Sequence, residues 1–230
     1  PDEAAQVPQW RYLNPRQAEW PTADFIVGNP PFIGAKYVRA SLGDGYAEAL
    51  RTAWPEVPES ADFVMYWWHH AAHLVAQGEA QRTGLITTNS LRQTFNRRVV
   101  QAALDAGTHL SFAIADHPWV DSASRAAVRI AMSVIAHRAG EGELLTVTNE
   151  QAGEDGEVAV MLDRQFGLIH PDLGIGANVA AAQTLRSAAG ISSPGVKLHG
   201  AGFIITSEQA EALGRSALIR DYRNGRDLTA

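Results

Sequence analysis

Asn29-Pro30-Pro31-Phe32 is the stretch whose residue types most directly suggest chemistry. It brings together an amide oxygen, carbonyls held by two fixed-φ prolines, and an aromatic ring. The Asn29 side-chain oxygen and the Pro30 carbonyl form an acceptor pair suited to an exocyclic amino group such as that of adenine. That nitrogen is a poor nucleophile while its lone pair is delocalised into the ring. Two acceptors aimed at its hydrogens favour a tetrahedral nitrogen whose lone pair is free to attack. Pro30 and Pro31 hold the carbonyls in place, so little reorganisation accompanies substrate arrival. Phe32 offers a face on which a base extruded from a duplex can stack. A plain proline turn with a buried ring is the alternative for four such residues, so their setting has to decide.

That setting is a strand end. Asp24-Phe25-Ile26-Val27-Gly28 is a short apolar run that stops at Asn29-Pro30, which reads as a buried strand. Gly84-Leu85-Ile86-Thr87-Thr88-Asn89-Ser90 has the same buried-strand pattern. Between them, residues 42–54 suit a helix, and Ser60 is placed to cap another whose apolar positions Phe63, Trp67, Ala71 and Leu74 recur at helical spacing, with Gly78 beyond its end. A further helix is expected from about Thr94 to Ala106, closed by Gly107. Residues 110–115 and 127–136 are β-rich and too closely spaced for a crossover helix, so they should pair antiparallel. The alternation gives an α/β fold whose strands are parallel until the last reverses. In open sheets of this kind, ligands bind at the carboxyl ends of the strands, where Asn29 lies.

The signal weakens after Gly140. Residues 141–163 hold seven acids and no Lys or Arg, and read as an acidic loop with a possible short strand at Val158–Leu162. A helix near residues 178–188 and a glycine-rich link over residues 190–202 follow. Thr206 and Gln209 have capping-box spacing for a last helix. The expected organisation is therefore 1–140 as the catalytic part, 141–202 as an irregular extension and 203–230 as a linker into another domain.

Basic residues flank the strand ends. Lys36 and Arg39 follow the proline loop, and Arg92, Arg97 and Arg98 follow the second strand in an acid-free stretch from Ala80 to Leu104. All five are candidates for DNA phosphate contacts, and a solvated helix face accounts for them nearly as well. Asn89 and Ser90 either line the pocket or cap the next helix. His69 and His73 have the spacing of two zinc ligands, but no glutamate lies between them and no third ligand is evident, so no metal is expected. Tyr66, Trp67 and Trp68 are expected in the core. Gly200-Ala201-Gly202 lacks the third glycine of a dinucleotide fingerprint.

These residues resemble known ones. Asn29-Pro30-Pro31-Phe32 resembles motif IV of the class I amino-methyltransferases, in which Asp, Asn or Ser precedes two prolines and an aromatic. Residues 60–68 and 84–90 look like the helix and strand that follow that motif in gamma-type adenine methyltransferases of fused restriction-modification enzymes. Residues 219–228 resemble the entry into their target-recognition domain. The type IIL class, in which nuclease, methyltransferase and recognition domain share one polypeptide, is the nearest match. The resemblance implies a Rossmann-like methyltransferase sheet, S-adenosylmethionine as cofactor held partly by Asn29 and Pro30, and DNA as partner. It also implies a glycine-rich cofactor loop before motif IV, which residues 1–28 do not contain. This chain is accordingly expected to hold the catalytic half and to need an N-terminal cofactor-binding segment, or else to self-associate through an open sheet edge. A methyltransferase acting on RNA or protein amino groups, usually with Tyr in place of Phe32, and a non-catalytic binding module are the competing readings.

Composition bounds these expectations. With 230 residues and 46% apolar content, one substantial domain and a smaller appendage are accommodated. There is no cysteine, which removes disulfides, thiolate metal sites and thiol nucleophiles, and favours an intracellular, cytoplasmic setting. The formal charge of −6 argues against DNA in sum, but the charge is segregated along the chain.

Overall fold

In the computed structural model, the strand before the prolines is β1, Phe25–Gly28, and it pairs in parallel with β2, Arg82–Thr88. The structure describes residues 10–120, 127–152, 158–178, 182, 185–188, 190–191, 201–214 and 216–222. The chain divides into two compact units, Pro1–Ala182 and Gln183–Ala230.

The first unit is built on one six-stranded sheet in the order β1-β2-β4-β3-β5-β6. The remaining strands are β3, Thr108–Val120; β4, Ala127–His137; β5, Gly142–Ala152; and β6, Val158–Gly167. β3 and β4 form the expected antiparallel pair, and β4 inserts between β2 and β3. β1, β2, β3 and β5 therefore run one way, and β4 and β6 the other. This is the mixed α/β sheet expected, with its parallel strands sending their carboxyl ends to one edge.

The helices are α1, Val38–Leu42; α2, Asp44–Ala53; α3, Val64–Ala76; and α4, Thr94–Asp105. The single helix expected over residues 42–54 is broken at Gly43, whose φ of 84° an L side chain rarely adopts. α3 ends before Gly78 and α4 before Gly107, as their glycine stops suggest. Ser60 does not cap α3: the helix begins later, its N-cap is Phe63, and no side chain caps it.

α3 and α4 pack on one face of the sheet. That face buries Thr83, Leu85 and Thr87 of β2 against Ala131, Ser133 and Ile135 of β4. Met65, Tyr66 and Trp68 of α3 complete the core, and Trp68 Nε1 donates to Ser133 Oγ at 3.1 Å. β1 and β2 were expected to be buried strands and are buried only in part. β2 buries alternate residues only, and Phe25 and Val27 of β1 are 60% and 86% exposed. The physical reason is placement: β1 is an edge strand with one neighbour, and the face opposite α3 and α4 leaves Ile86, Met132 and Val134 half-buried.

The acidic loop expected after Gly140 is instead a β-hairpin, β5 and β6, and the short strand expected at residues 158–162 is the start of the longer β6. Acids are compatible with this strand because they point away from the core. Glu143 pairs with Arg164 at 2.7 Å and Glu150 with Arg129 at 2.9 Å, while Leu144 is buried. β5 crosses to the far side of β3 at Gly142, where a Cβ would stand 2.0 Å from the Leu110 carbonyl oxygen.

In the second unit, residues 186–188 and 201–203 form 3-10 turns, and α5, Ser207–Ala212, carries the expected capping box. Gln209 N–H donates to Thr206 Oγ1 at 3.2 Å, and the Thr206 N–H to Gln209 Oε1 at 2.9 Å. Of the helix expected over 178–188, residues 179–181 and 183–184 lie outside the described residues and the rest holds only the 3-10 turn at 186–188; most of the link over 190–202 and of the tail over 219–228 also lies outside them.

Candidate active site at the carboxyl edge of the sheet

Gly28 of β1 lies opposite Leu85, so Asn29-Pro30-Pro31-Phe32 leaves β1 alongside the last residues of β2. Pro30 is buried, whereas Asn29 and Pro31 are exposed and the Phe32 ring is 37% exposed. The Asn29 side chain has no hydrogen-bond partner among the described residues, so both its oxygen and its amide hydrogens are free for a ligand.

A polar cluster anchors the loop just beyond Phe32. Asp62 Oδ1 accepts from the Ala35 N–H at 2.9 Å, and the Phe63 N–H donates to the Ile33 carbonyl at 2.9 Å. Asp62 Oδ2 accepts from Ser90 Oγ at 2.6 Å and from Asn96 Nδ2 at 2.8 Å. Ser90 is thereby a bridge between the β2 end and the loop, and not a helix cap, since α4 has Gln93 as its N-cap without a side-chain bond. Asp62 and Asn96 escaped sequence reasoning. The signal available was Asp62 directly ahead of an apolar helical repeat, which by itself suggests only a helix start.

The next parallel strand extends the edge. Asn89 Nδ2 donates to Asp116 Oδ1 at 3.3 Å, where β3 shifts register between Ile114 and His117. Such an irregularity re-aims side chains at a sheet rim. Arg129 bridges Asp116 at 2.5 Å and Glu150 at 2.9 Å, and these two carboxylates, Glu150 foremost, hold its guanidinium more firmly protonated than usual.

The basic candidates differ in availability. Arg39 on α1 is paired with Glu48 and, at 3.2 Å, with Asp44, and these bonds raise its pKa. Arg92 Nε donates to the Asp172 carbonyl at 2.9 Å. Arg98 lies over the Phe95 ring at 5.3 Å and Lys36 over the Tyr37 ring at 4.7 Å, contacts that leave their charges facing solvent. Arg97 is half-buried on α4. Lys36, Arg92 and the α4 arginines thus flank the ends of β1 and β2 through the elements that follow those strands.

The histidines of α3 do a different job. The His69 and His73 rings stack at 6.2 Å, and burial lowers the pKa of His69. His70 is buried with both ring nitrogens lacking a conventional partner. Its ring meets those of Trp20 and Trp54 in edge-to-face geometry at 4.4 and 5.0 Å. His70 lines a cavity of about 320 Å³ between residues 12–20, α2 and α3, a space that none of Asn29 to Phe32 reaches. Among the described residues no group of three or more His, Cys, Asp or Glu could hold a metal ion, and no helix is long and apolar enough to cross a membrane.

Three comparisons place this geometry. A structure of the type IIL restriction-modification enzyme MmeI in complex with DNA superposes with a TM-score of 0.52 at 24% identity, covering 67% of this chain. The chain spans only 20% of that protein's length, and the likeness supports the fold. A modification subunit of a putative type I restriction enzyme from Vibrio vulnificus YJ016 overlaps 57% of the chain at 15% identity and a TM-score of 0.42. None of the curated proteins matches. Residues 2–146 match the family described as MmeI, DNA-methyltransferase domain, and this chain belongs to that family.

Proposed function

We propose that this chain carries the base-binding part of a restriction-modification DNA methyltransferase, and that its target is the exocyclic amino group of adenine. The observation that carries this reading is the exposed Asn29 side chain, without a partner among the described residues, beside a partly exposed Phe32, at the carboxyl end of a parallel strand.

In this reading the base stacks on Phe32 while Asn29 Oδ1 and the Pro30 carbonyl accept the two amino hydrogens. The amino nitrogen attacks the methyl carbon, the carbon–sulfur bond of the donor breaks, and the extra proton leaves to solvent. S-adenosylmethionine supplies an electrophilic methyl group on a sulfonium. Asn29, exposed at the rim, and the carbonyl of the adjacent, buried Pro30 would hold the reactive end of such a donor. Among the described residues β1 has β2 as its one neighbour and leaves Phe25 and Val27 exposed, an edge that can accept a further strand. Lys36, Arg92, Arg97 and Arg98 are the phosphate contacts in this reading, with Arg39 in reserve behind its two carboxylates.

The test is labelled-methyl transfer by the full-length polypeptide, with DNA, RNA and protein offered separately. Amino-methylated adenine in DNA is expected, and Asn29→Ala should slow transfer about 100- to 1000-fold. Transfer to protein or RNA alone would overturn the proposal.

A further inference from the structure

Asp62 sits behind the loop that carries Asn29 and Phe32, and its hydrogen bonds join three segments that the chain brings together from far apart. Oδ1 accepts the Ala35 N–H, and Oδ2 accepts both Ser90 Oγ–H and Asn96 Nδ2–H. The Asp62 N–H returns a bond to Asn96 Oδ1 at 2.8 Å, and Asn96 Nδ2 also donates to the Ser90 carbonyl at 3.0 Å. Asn96 is buried, and every polar atom of its amide is used, so the network fixes which way that amide faces. Ser90 in turn is hydrogen-bonded to Thr88, the last residue of β2.

The network is not a helix cap, because neither α3 nor α4 has a side-chain cap. What it holds is the strip of backbone just past Phe32. Ile33 and Ala35 are bonded to Phe63 and Asp62, so the loop is fixed at one end by β1 and at the other by this carboxylate.

Resting on the methyltransferase reading above, we infer that Asp62 is a positioning residue for the reaction: through Ala35, Ser90 and Asn96 it sets the distance between the Asn29–Phe32 loop and the end of β2. A carboxylate is required there and an amide will not serve. Oδ2 faces two donors and Oδ1 a third, so an amide NH2 in either orientation points a donor at a donor. Asp62→Asn therefore breaks at least one strap without changing side-chain volume. Misplacement of a reacting group by about an ångström is enough to cost about 100-fold in rate.

The experiment compares Asp62→Asn and Asn29→Ala with the unsubstituted full-length polypeptide. It measures kcat per folded molecule, KM for S-adenosylmethionine, thermal midpoint and amide exchange at Ala35. Asp62→Asn should lower kcat about 100-fold with KM little changed, and should speed exchange of the Ala35 N–H. An unchanged kcat per folded molecule in Asp62→Asn, with only the melting point reduced, overturns the inference. Asn29→Ala separates the two levels: full activity there removes the loop's role and this one with it, while an inert Asn29→Ala beside an active Asp62→Asn removes Asp62's role alone.

Discussion

Phe32 offers a way to isolate one interaction in the proposed site. The residue is 37% exposed, so it has surface available to a base. Stacking of a base on an aromatic side chain contributes about 1–3 kcal/mol. At 1.4 kcal/mol per tenfold change, Phe32→Ala should weaken binding of DNA containing the target adenine by about 5- to 140-fold. The substitution also removes buried ring surface, and part of the lost affinity could arise from a loosened loop. The DNA controls for this. An otherwise identical duplex with an abasic site at the target position cannot stack, so any loop effect is common to both duplexes and cancels in the double-mutant cycle. The assay is equilibrium binding of wild type, Phe32→Ala and Phe32→Trp to both duplexes. The coupling between Phe32 and the base should fall in the 1–3 kcal/mol range, and Phe32→Trp should retain most of it. Equal losses on adenine and abasic DNA would refute the stacking role, leaving Phe32 as a loop anchor.

Other consequences can be checked separately. Ser133→Ala leaves the buried Trp68 indole N–H without its acceptor and should cost about 1–3 kcal/mol in denaturant unfolding; adding Trp68→Phe should cost less than the two single changes summed. Burial first, then the charges of His73 and His69, hold the His70 pKa below its ordinary 6.5. The unfolded chain thus takes up protons before the folded one does, so stability should be complete above about pH 6.5 and decline as pH falls through that value, with the slope reduced in His70→Phe. Gly142→Ala pushes a Cβ into the Leu110 carbonyl and should destabilise the first unit by about 1–3 kcal/mol, seen as a lowered melting temperature. Because Arg39 is already held by Asp44 and Glu48, Arg39→Ala should change the salt dependence of DNA binding less than Arg98→Ala does; a loss of about 0.9 in slope for Arg39→Ala would contradict that.

The parts of the fold legible in the sequence are those where one local rule decides. Gly78 and Gly107 take the positive φ that ends α3 and α4, Thr206 and Gln209 close their capping box, and Asn29-Pro30 ends β1. The short spacing between β3 and β4 allowed only an antiparallel pair. The misreadings arose where charge or composition concealed a face. β5 carries Glu143 and Glu150 among residues such as Leu144, and a count of acids cannot reveal that the acids meet Arg164 and Arg129 across the sheet. β1 and β2 read as buried from their sequence, and only the tertiary layout shows that β1 lies at the sheet edge and that β2 buries alternate residues alone. At the site, the proline loop was legible because its residues are contiguous. Asp62, Ser90 and Asn96 were not, because their meaning lies in being adjacent across separations of 28 and 34 residues.

That division bears on how the site holds its shape. The loop from Asn29 to Gly34 has no regular hydrogen-bonded structure of its own, so its rigidity has to come from elsewhere. Pro30 and Pro31 restrict φ at two positions, which narrows the conformations available without choosing a position relative to the sheet. The choice is made by bonds at its two ends: the β1–β2 ladder before Asn29, and Asp62 and Phe63 after Phe32. Both ends refer to β2, directly through the ladder and indirectly through Ser90, so the acceptors of Asn29 and Pro30 are held relative to one strand. A rim built this way keeps Asn29 free of protein partners while fixing its backbone. An acceptor that must bind a substrate amino group, and not a neighbouring side chain, needs that combination.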